Sequence, residues 1–421
     1  MKIEPLPLFV SPREILVFSL GVLLLFLLSL GFEYRDYRHL VRFDDATIRA
    51  TVIRQYAKTK EGRSYQVLKL RTSDGAPFFM TASAALRNLS GYDVEVWFRT
   101  ERLSFWEYLK GFFAHGYIDG VSRTKRPAYR LADKIAAQHE NRETGAVFAA
   151  LFAATPIGQE TRERISVLGI SHLLAISGFH IGLLSALLFW LLRFPYRAAQ
   201  SRWFPWRSGK RDLFFLTAAV MLGYVWFLQM TPSVLRAYAM MLVGFAFYDR
   251  AIKVLSFQSL GITVVLLLAL WPRLLFSMGF WLSVAGVFYL FTFLRRFEGR
   301  GKVFTFLGIH VWVYLMMLPA SLALFGTFSA WHPLSVLWTM LFILFYPLTL
   351  FLHLIGLGGL LDGALEGLLR LPHSSARIDA GYGLLAVWLG LSLFALKSQA
   401  VERLLPYMAA AVLIGAVYQV A

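Results

Sequence analysis

Gly169-Ile170-Ser171-His172-Leu173-Leu174-Ala175-Ile176-Ser177-Gly178-Phe179-His180-Ile181-Gly182, continued without an acidic or basic residue as far as Leu192, is the stretch on which the fold turns. A run over residues 170–194 can cross about 30 Å of hydrocarbon at about 1.5 Å per residue. It is also unusually polar for a membrane span. At about 100° per residue, His172, Ser177 and His180 share one arc of the helix, with Ser171, Gly178, Gly182 and Ser185 on the other side. Gly178 and Gly182 are expected to let a neighbouring helix approach closely. For the other face two readings stand: a polar, water-accessible interior, or histidines satisfied by hydrogen bonds between helices.

Outward from this stretch the same composition repeats. Of 421 residues, 57% are hydrophobic and only 16% charged, too apolar for a soluble chain of this length. Further spans are expected at residues 15–32, 213–229, 233–248, 255–271, 277–294, 303–325, 333–354, 382–396 and 404–420. The fold class is therefore mainly α: a polytopic α-helical membrane protein of about ten transmembrane helices. Basic residues cluster at 193–211 and 295–302, which places those loops, and the N-terminus, in the cytoplasm. The absence of cysteine excludes disulfides, thiolate metal sites and cysteine nucleophiles. The net charge of +17 partly reflects cytoplasmic loops and by itself says little about nucleic acid.

Between residues 40 and 125 the pattern changes to short alternating runs, at 47–53, 65–70 and 92–98, punctuated by Glu61-Gly62, Ser73-Asp74-Gly75 and Ser90-Gly91. About five such strands fit a small inserted barrel of the OB type. The expected organisation is an N-terminal transmembrane helix (1–35), an OB-like periplasmic domain (40–125), amphipathic or linker helices (126–167) and a polytopic membrane domain (168–421).

Thr231-Pro232-Ser233-Val234-Leu235-Arg236 reads as a helix start, with Thr231 as N-cap and Pro232 at the first helical position. Arg236 then lies one turn in, where the helix dipole disfavours a cation. A phosphate, a carboxylate or carbonyl groups would have to hold it there, unless it snorkels to the interface. Pro272-Arg273, Leu318-Pro319 and Trp331-His332-Pro333-Leu334 interrupt other spans, as helices do where they line a cavity or merely kink.

The 171–182 stretch, Pro232-Ser233-Val234-Leu235-Arg236-Ala237, Pro272 with Gly279-Phe280 and Leu282-Ser283, then Leu318-Pro319 and Phe325-Gly326 resemble, in order and spacing, the ComEC competence proteins. The resemblance covers about residues 145–354. It implies an inner-membrane channel for single-stranded DNA in natural transformation, with the β domain at the position of that family's OB-like periplasmic domain. Trp281 and Val336 depart from it, standing where glutamine and asparagine are expected. No His-x-His-x-Asp-His motif occurs, so a short form without the metallo-β-lactamase-like domain of longer members is expected.

His172, Ser177, His180, Ser233, Arg236 and Ser283 are then candidates for the DNA path. Arg49, Arg54, Tyr56, Tyr65, Lys69 and Arg71, with Phe78 and Phe79, are candidates for binding the strand through phosphates and base stacking. The implied partners are single-stranded DNA, membrane lipid, a periplasmic DNA receptor and a cytoplasmic DNA-binding or ATPase protein, since no Walker A loop is present. A homo-oligomer is also open. No catalytic residue, metal or cofactor is expected, although nuclease activity of the β domain stays open. The alternatives are a membrane-embedded hydrolase using Ser177 with His180 or His172, and a small-solute transporter with a midplane site.

Overall fold

The computed structural model of the chain describes residues 9, 11–72, 75–124, 126–174, 176, 178–228, 232–250, 254–371 and 375–420, with only the backbone of 232 and 233. Ser177 and Thr231, both singled out above, lie outside the described residues.

Helix α1 (Pro12–Leu40) starts at Ser11, whose hydroxyl accepts from the Glu14 amide, and runs two turns beyond the expected span. Strands β1 (Asp45–Lys60), β2 (Arg63–Thr72), β3 (Pro77–Ser83) and β4 (Tyr92–Arg99) follow. Helix α2 (Phe105–Lys110) is closed by a reciprocal Ser104/Glu107 capping box. Next come β5 (Phe113–Ala114), β6 (Gly116–Arg123), α3 (Pro127–Ala136), α4 (Arg142–Ala153), α5 (Gln159–Val167), α6 (Ser171–Leu174), α7 (Gly178–Trp203), α8 (Gly209–Phe227) and α9 (Pro232–Asp249). Helix α10 (Phe257–Leu270) gives way to a 3-10 turn at Pro272–Phe276, before α11 (Met278–Arg296) and α12 (Lys302–Phe325). Strand β7 (Thr327–Phe328), α13 (Ser335–Leu354), α14 (Asp362–Leu369), β8 (Ala376–Arg377), α15 (Gly381–Phe394) and α16 (Gln399–Tyr418) complete the chain.

Among the described residues six helices are long and apolar enough to cross a membrane, not ten: Pro12–Leu40, Gly178–Trp203, Met278–Arg296, Lys302–Phe325, His332–Leu354 and Gln399–Tyr418. Proline and glycine account for part of the difference. Helix α10 stops ahead of Pro272 and α15 starts at the left-handed Gly381, leaving each 14 residues long, while α8 opens on the charged Lys210-Arg211-Asp212. Helix α1 buries no residue, and Leu16, Val17 and Leu24 stand exposed along it, the surface of a helix whose solvent is hydrocarbon.

The chain divides into two compact units. One comprises Met1–Lys134, Ala149–Pro156 and Ile176–Phe280; the other Ile135–Phe148, Ile157–Ala175 and Trp281–Ala421. The first holds a six-stranded sheet in the order β5-β3-β2-β1-β4-β6. Its outermost strands, β5 and β6, are separated in sequence by His115 alone, so the sheet curls back on itself as a half-barrel. It is not a fully paired barrel. Pairing between β3 and β5 covers only Phe79–Phe113 and Met80–Ala114. Beyond that point lies a cleft of about 700 Å³ lined by Tyr65, Met80, Leu86, Tyr117 and Ile118 among others.

The concave face buries Val52, Leu68, Leu70, Phe78, Val96 and Phe98, and Tyr37 and Leu40 of α1 pack against the same core. Phe78 is therefore core and cannot stack a base. In this unit α7, α8 and α9 also pack around Ile181, Met221, Val225 and Val234.

In the second unit, α11, α12, α15 and α16 pack around Tyr289, Trp312, Met316 and Trp388. Their buried polar tips are satisfied inside the bundle: Trp388 Nε1 donates to the Met316 carbonyl at 3.0 Å and Trp312 Nε1 to Thr292 Oγ1 at 3.1 Å.

Candidate functional site

Helix α9 starts at Pro232, as read from the sequence, and Arg236 follows one turn later. Its Nη2 donates to the Gly279 carbonyl at 3.3 Å, and its Cζ stands 5.8 Å from the Phe280 ring centroid. Of the partners open to Arg236, the structure selects a carbonyl and an aromatic face. Among the described residues no carboxylate pairs with it, so its hydrogen-bonding need is partly met and its charge is not. Two motifs separated by some forty residues of sequence are thereby brought together: the break at Pro272–Phe276 lets α11 start at Met278, and Gly279 in its first turn offers its carbonyl to Arg236.

The continuous helix expected over residues 170–194 does not form. Helix α6 ends at Leu174, Ile176 is not helical and α7 starts at Gly178, so His172 and His180 no longer share one arc of a single helix. His180 lies on α7, 1% exposed, its ring edge-on to Phe179 at 6.1 Å. Gly178 meets Ala237 of α9 at ordinary contact distance. Among the described residues, nothing lies within 4 Å of where a side chain at Gly182 would start. Ser233 belongs to α9, and Ser283 is exposed on α11.

In the second unit His172 turns to α13. Thr339 Oγ1 donates to the Ser335 carbonyl at 2.7 Å and stands 3.1 Å from His172 Nε2. Gly169, at φ +71°, allows this approach: a side chain there would stand 3.0 Å from His332 and 3.2 Å from Ser335. His332 Nε2 donates to the Ser166 carbonyl at 3.0 Å. The polar residues of the 171–182 stretch are thus divided between two sites.

In the β domain the strand-binding candidates separate by what surrounds them. Arg49 is neutralised by Glu95, opposite it in register, at 2.6 Å. Arg71 is half-buried beside Arg126 and Tyr129; burial pushes its guanidinium below the usual range and the Tyr129 hydroxyl up to about 12. Arg54 lies over Tyr56 at 4.9 Å and Lys69 over Phe79 at 5.6 Å, two cation–aromatic pairs on neighbouring strands, since Arg54 and Lys69 are register partners. Tyr65 lines the cleft. Arg54 is exposed, and Tyr56, Tyr65, Lys69 and Phe79 are half-buried.

One feature was missed in the sequence. Arg273, in the break before α11, grips Glu33 of α1 through three bonds of 2.6 to 2.9 Å and lies over the Tyr108 ring of α2 at 4.5 Å. Arg273 stands in apolar sequence, Trp271-Pro272-Arg273-Leu274-Leu275-Phe276, which was the available signal.

A profile of the family described as "Competence protein" matches residues 153–420, more than half of the chain. The chain belongs to the competence protein family. The match covers α5 to α16 and leaves the β domain outside it. ComE operon protein 3 of Bacillus subtilis (strain 168) is 33% identical over 213 residues, which are 50% of this chain and 24% of that protein. The chain thus aligns with about a quarter of the length of that ComEC-type relative. No solved structure matches. Both motifs that meet at Arg236 fall within the family match, as do His172, Ser283 and Thr339.

Proposed function

We propose that this competence-family chain is a conduit in the bacterial inner membrane that passes single-stranded DNA into the cytoplasm, with the half-barrel acting as an OB-like receiving domain on the periplasmic side. The observation that carries this reading is Arg236, a cation kept near the start of a helix on a carbonyl and a ring, without a countercharge among the described residues. A passing phosphate supplies that countercharge transiently, and a partner that is only a neutral carbonyl lets the phosphate leave again. In this reading the shorter helices complete a set of about ten spans, the N-terminus is cytoplasmic, and a separate ATPase or DNA-binding partner supplies the force. Assembly as a homo-oligomer would provide a wider path.

Arg236→Ala is expected to lower arrival of labelled DNA in the cytoplasm at least tenfold, with DNA still reaching the cell exterior and the protein at normal level in the membrane. Arg236→Lys, which keeps the charge, should recover part of it. Unchanged import in the alanine variant removes Arg236 from the path.

The receiving domain has its own test. Binding of a single-stranded oligonucleotide to the full chain in lipid nanodiscs should weaken with salt, at a slope of about −0.7 per phosphate neutralised. Arg54→Ala and Lys69→Ala should each make that slope shallower. Arg49→Ala should leave it nearly unchanged, because that charge is already spent on Glu95. Binding without salt dependence, or an equal effect at Arg49, would refute the assignment.

A further inference from the structure

Buried in the second unit is a chain of hydrogen bonds through His139 and His353. His139 lies in the turn between α3 and α4, and its side chain is wholly buried. Its Nδ1 is 2.7 Å from Asp362 Oδ1, and its Nε2 is 3.0 Å from Nε2 of His353. At the far end His353 Nδ1 is 2.7 Å from the Thr349 carbonyl. Phe148 of α4 closes one side, stacked on the His139 ring at 4.7 Å and 4° and reaching His353 at 5.0 Å.

Counting hydrogens decides what this arrangement needs. A carbonyl oxygen only accepts, so His353 Nδ1 carries a hydrogen. An ionised Asp362 also only accepts, so His139 Nδ1 carries another. Two neutral imidazoles have then used both their hydrogens, and their Nε2 lone pairs would face each other at 3.0 Å. That separation is the normal length of an N–H···N hydrogen bond, and a third hydrogen is required to make it one. The alternative, a neutral Asp362 donating to His139, needs the same third hydrogen. Either way the three groups together hold one proton more than two histidines and a carboxylate hold in water at neutral pH.

From this geometry we infer that His139, His353 and Asp362 form a binding site for one captured proton, which clasps the α3–α4 turn to the end of α13 and the start of α14. With the proton the cluster is electrically neutral. Without it, an uncompensated carboxylate and two opposed lone pairs remain in a buried site.

The surroundings are built for the same contact. Gln138 Nε2 donates to the His353 carbonyl at 3.2 Å, and the Gly358 amide donates to Gln138 Oε1 at 2.9 Å. A side chain at Gly358 would begin 2.6 Å from Gln138 Oε1 and 2.8 Å from His353 Nε2, so only glycine fits over the pair. Other charged groups on the same elements are engaged elsewhere or exposed: Glu143 with Arg164, Glu366 with Arg370, and Glu140 and Arg142 at the surface. His139 precedes the residues matched by the family profile, whereas His353 and Asp362 fall within them, so the clasp joins the linker segment to the family core.

The test is nitrogen NMR of the full chain, labelled with 15N-histidine, in lipid nanodiscs. At pH 7.5, where exposed histidines are neutral, one histidine pair should still show the signature of an imidazolium or of an N–H···N bond. Asp362→Asn should abolish it, as should replacing either histidine by phenylalanine. Only neutral, unbonded rings at pH 7.5, or a signal indifferent to Asp362→Asn, would overturn the inference. So would a stoichiometric metal ion whose removal by chelator shifts both Nε2 signals. Should Asp362→Asn fail to insert, the unmodified chain still decides, because the signal must outlast those of the other histidines as pH is raised.

Discussion

Gly116→Ala is expected to open the half-barrel. A β-carbon at this position would start 1.8 Å from the Trp97 carbonyl oxygen and 2.7 Å from Phe98 Cα, both backbone atoms that cannot step aside. Gly116 is the first residue of β6 and pairs with Phe98, so relief requires β6 to separate from β4 at the end where Phe98, Phe78 and Phe112 pack together in the core. Overpacking alone costs about 1 to 3 kcal/mol, and loss of the adjoining ladder bonds brings the expected destabilisation to more than about 3 kcal/mol. Gly120 of the same strand is the internal control, since a side chain there meets only the flexible Glu95 carboxylate, at 3.5 Å. Protease resistance of residues 45–123 in the full chain should fall sharply for Gly116→Ala and little for Gly120→Ala. Equal resistance of the two variants would refute the reading.

The second large effect is expected at Glu33 and Arg273. Their side chains are only 21% and 20% exposed, and the guanidinium is held by both carboxylate oxygens and the face of Tyr108. Removing one partner leaves an uncompensated, largely desolvated charge, which costs about 3 to 5 kcal/mol where burial is complete. With a fifth of each side chain still reached by solvent, Glu33→Gln and Arg273→Ala should each cost about 3 kcal/mol. Replacing both together by Glu33→Leu and Arg273→Met should restore most of the loss, because no charge is then stranded. Thermal unfolding of the full chain in detergent measures all three. Single variants within about 0.5 kcal/mol of the parent would show the pair to be dispensable. This pair, with Trp106 of α2 packed edge-on to Phe276 at 4.8 Å, ties α1, α2 and the break before α11 into one cluster.

What could be read in advance, and what could not, follows from the range of the forces involved. Hydropathy and punctuation are local, so the sequence alone determined the membrane class, the β insertion between α1 and α3, the helix start at Pro232 and the break at Pro272. It also marked Arg236 as a charge needing an answer. The answer itself, the Gly279 carbonyl and the Phe280 ring, lies more than forty residues away and became visible only when α9 and α11 were brought together.

The same separation explains the misreadings. A periodicity argument treats residues 170–194 as one rod, yet the chain leaves the helix between Leu174 and Gly178, and His172 and His180 acquire different neighbours. The spans expected at 255–271 and 382–396 form as α10 and α15, bounded by Pro272 and Gly381 and only 14 residues long. Among the basic residues of the β domain, type and spacing could not separate Arg49 and Arg71 from Arg54 and Lys69, because ion pairing and burial are set by strand register. His139, His353 and Asp362 carry no local signature at all. They lie up to 223 positions apart, and only tertiary structure places them in one hydrogen-bonded line, because a buried polar group is satisfied by whatever the fold brings beside it.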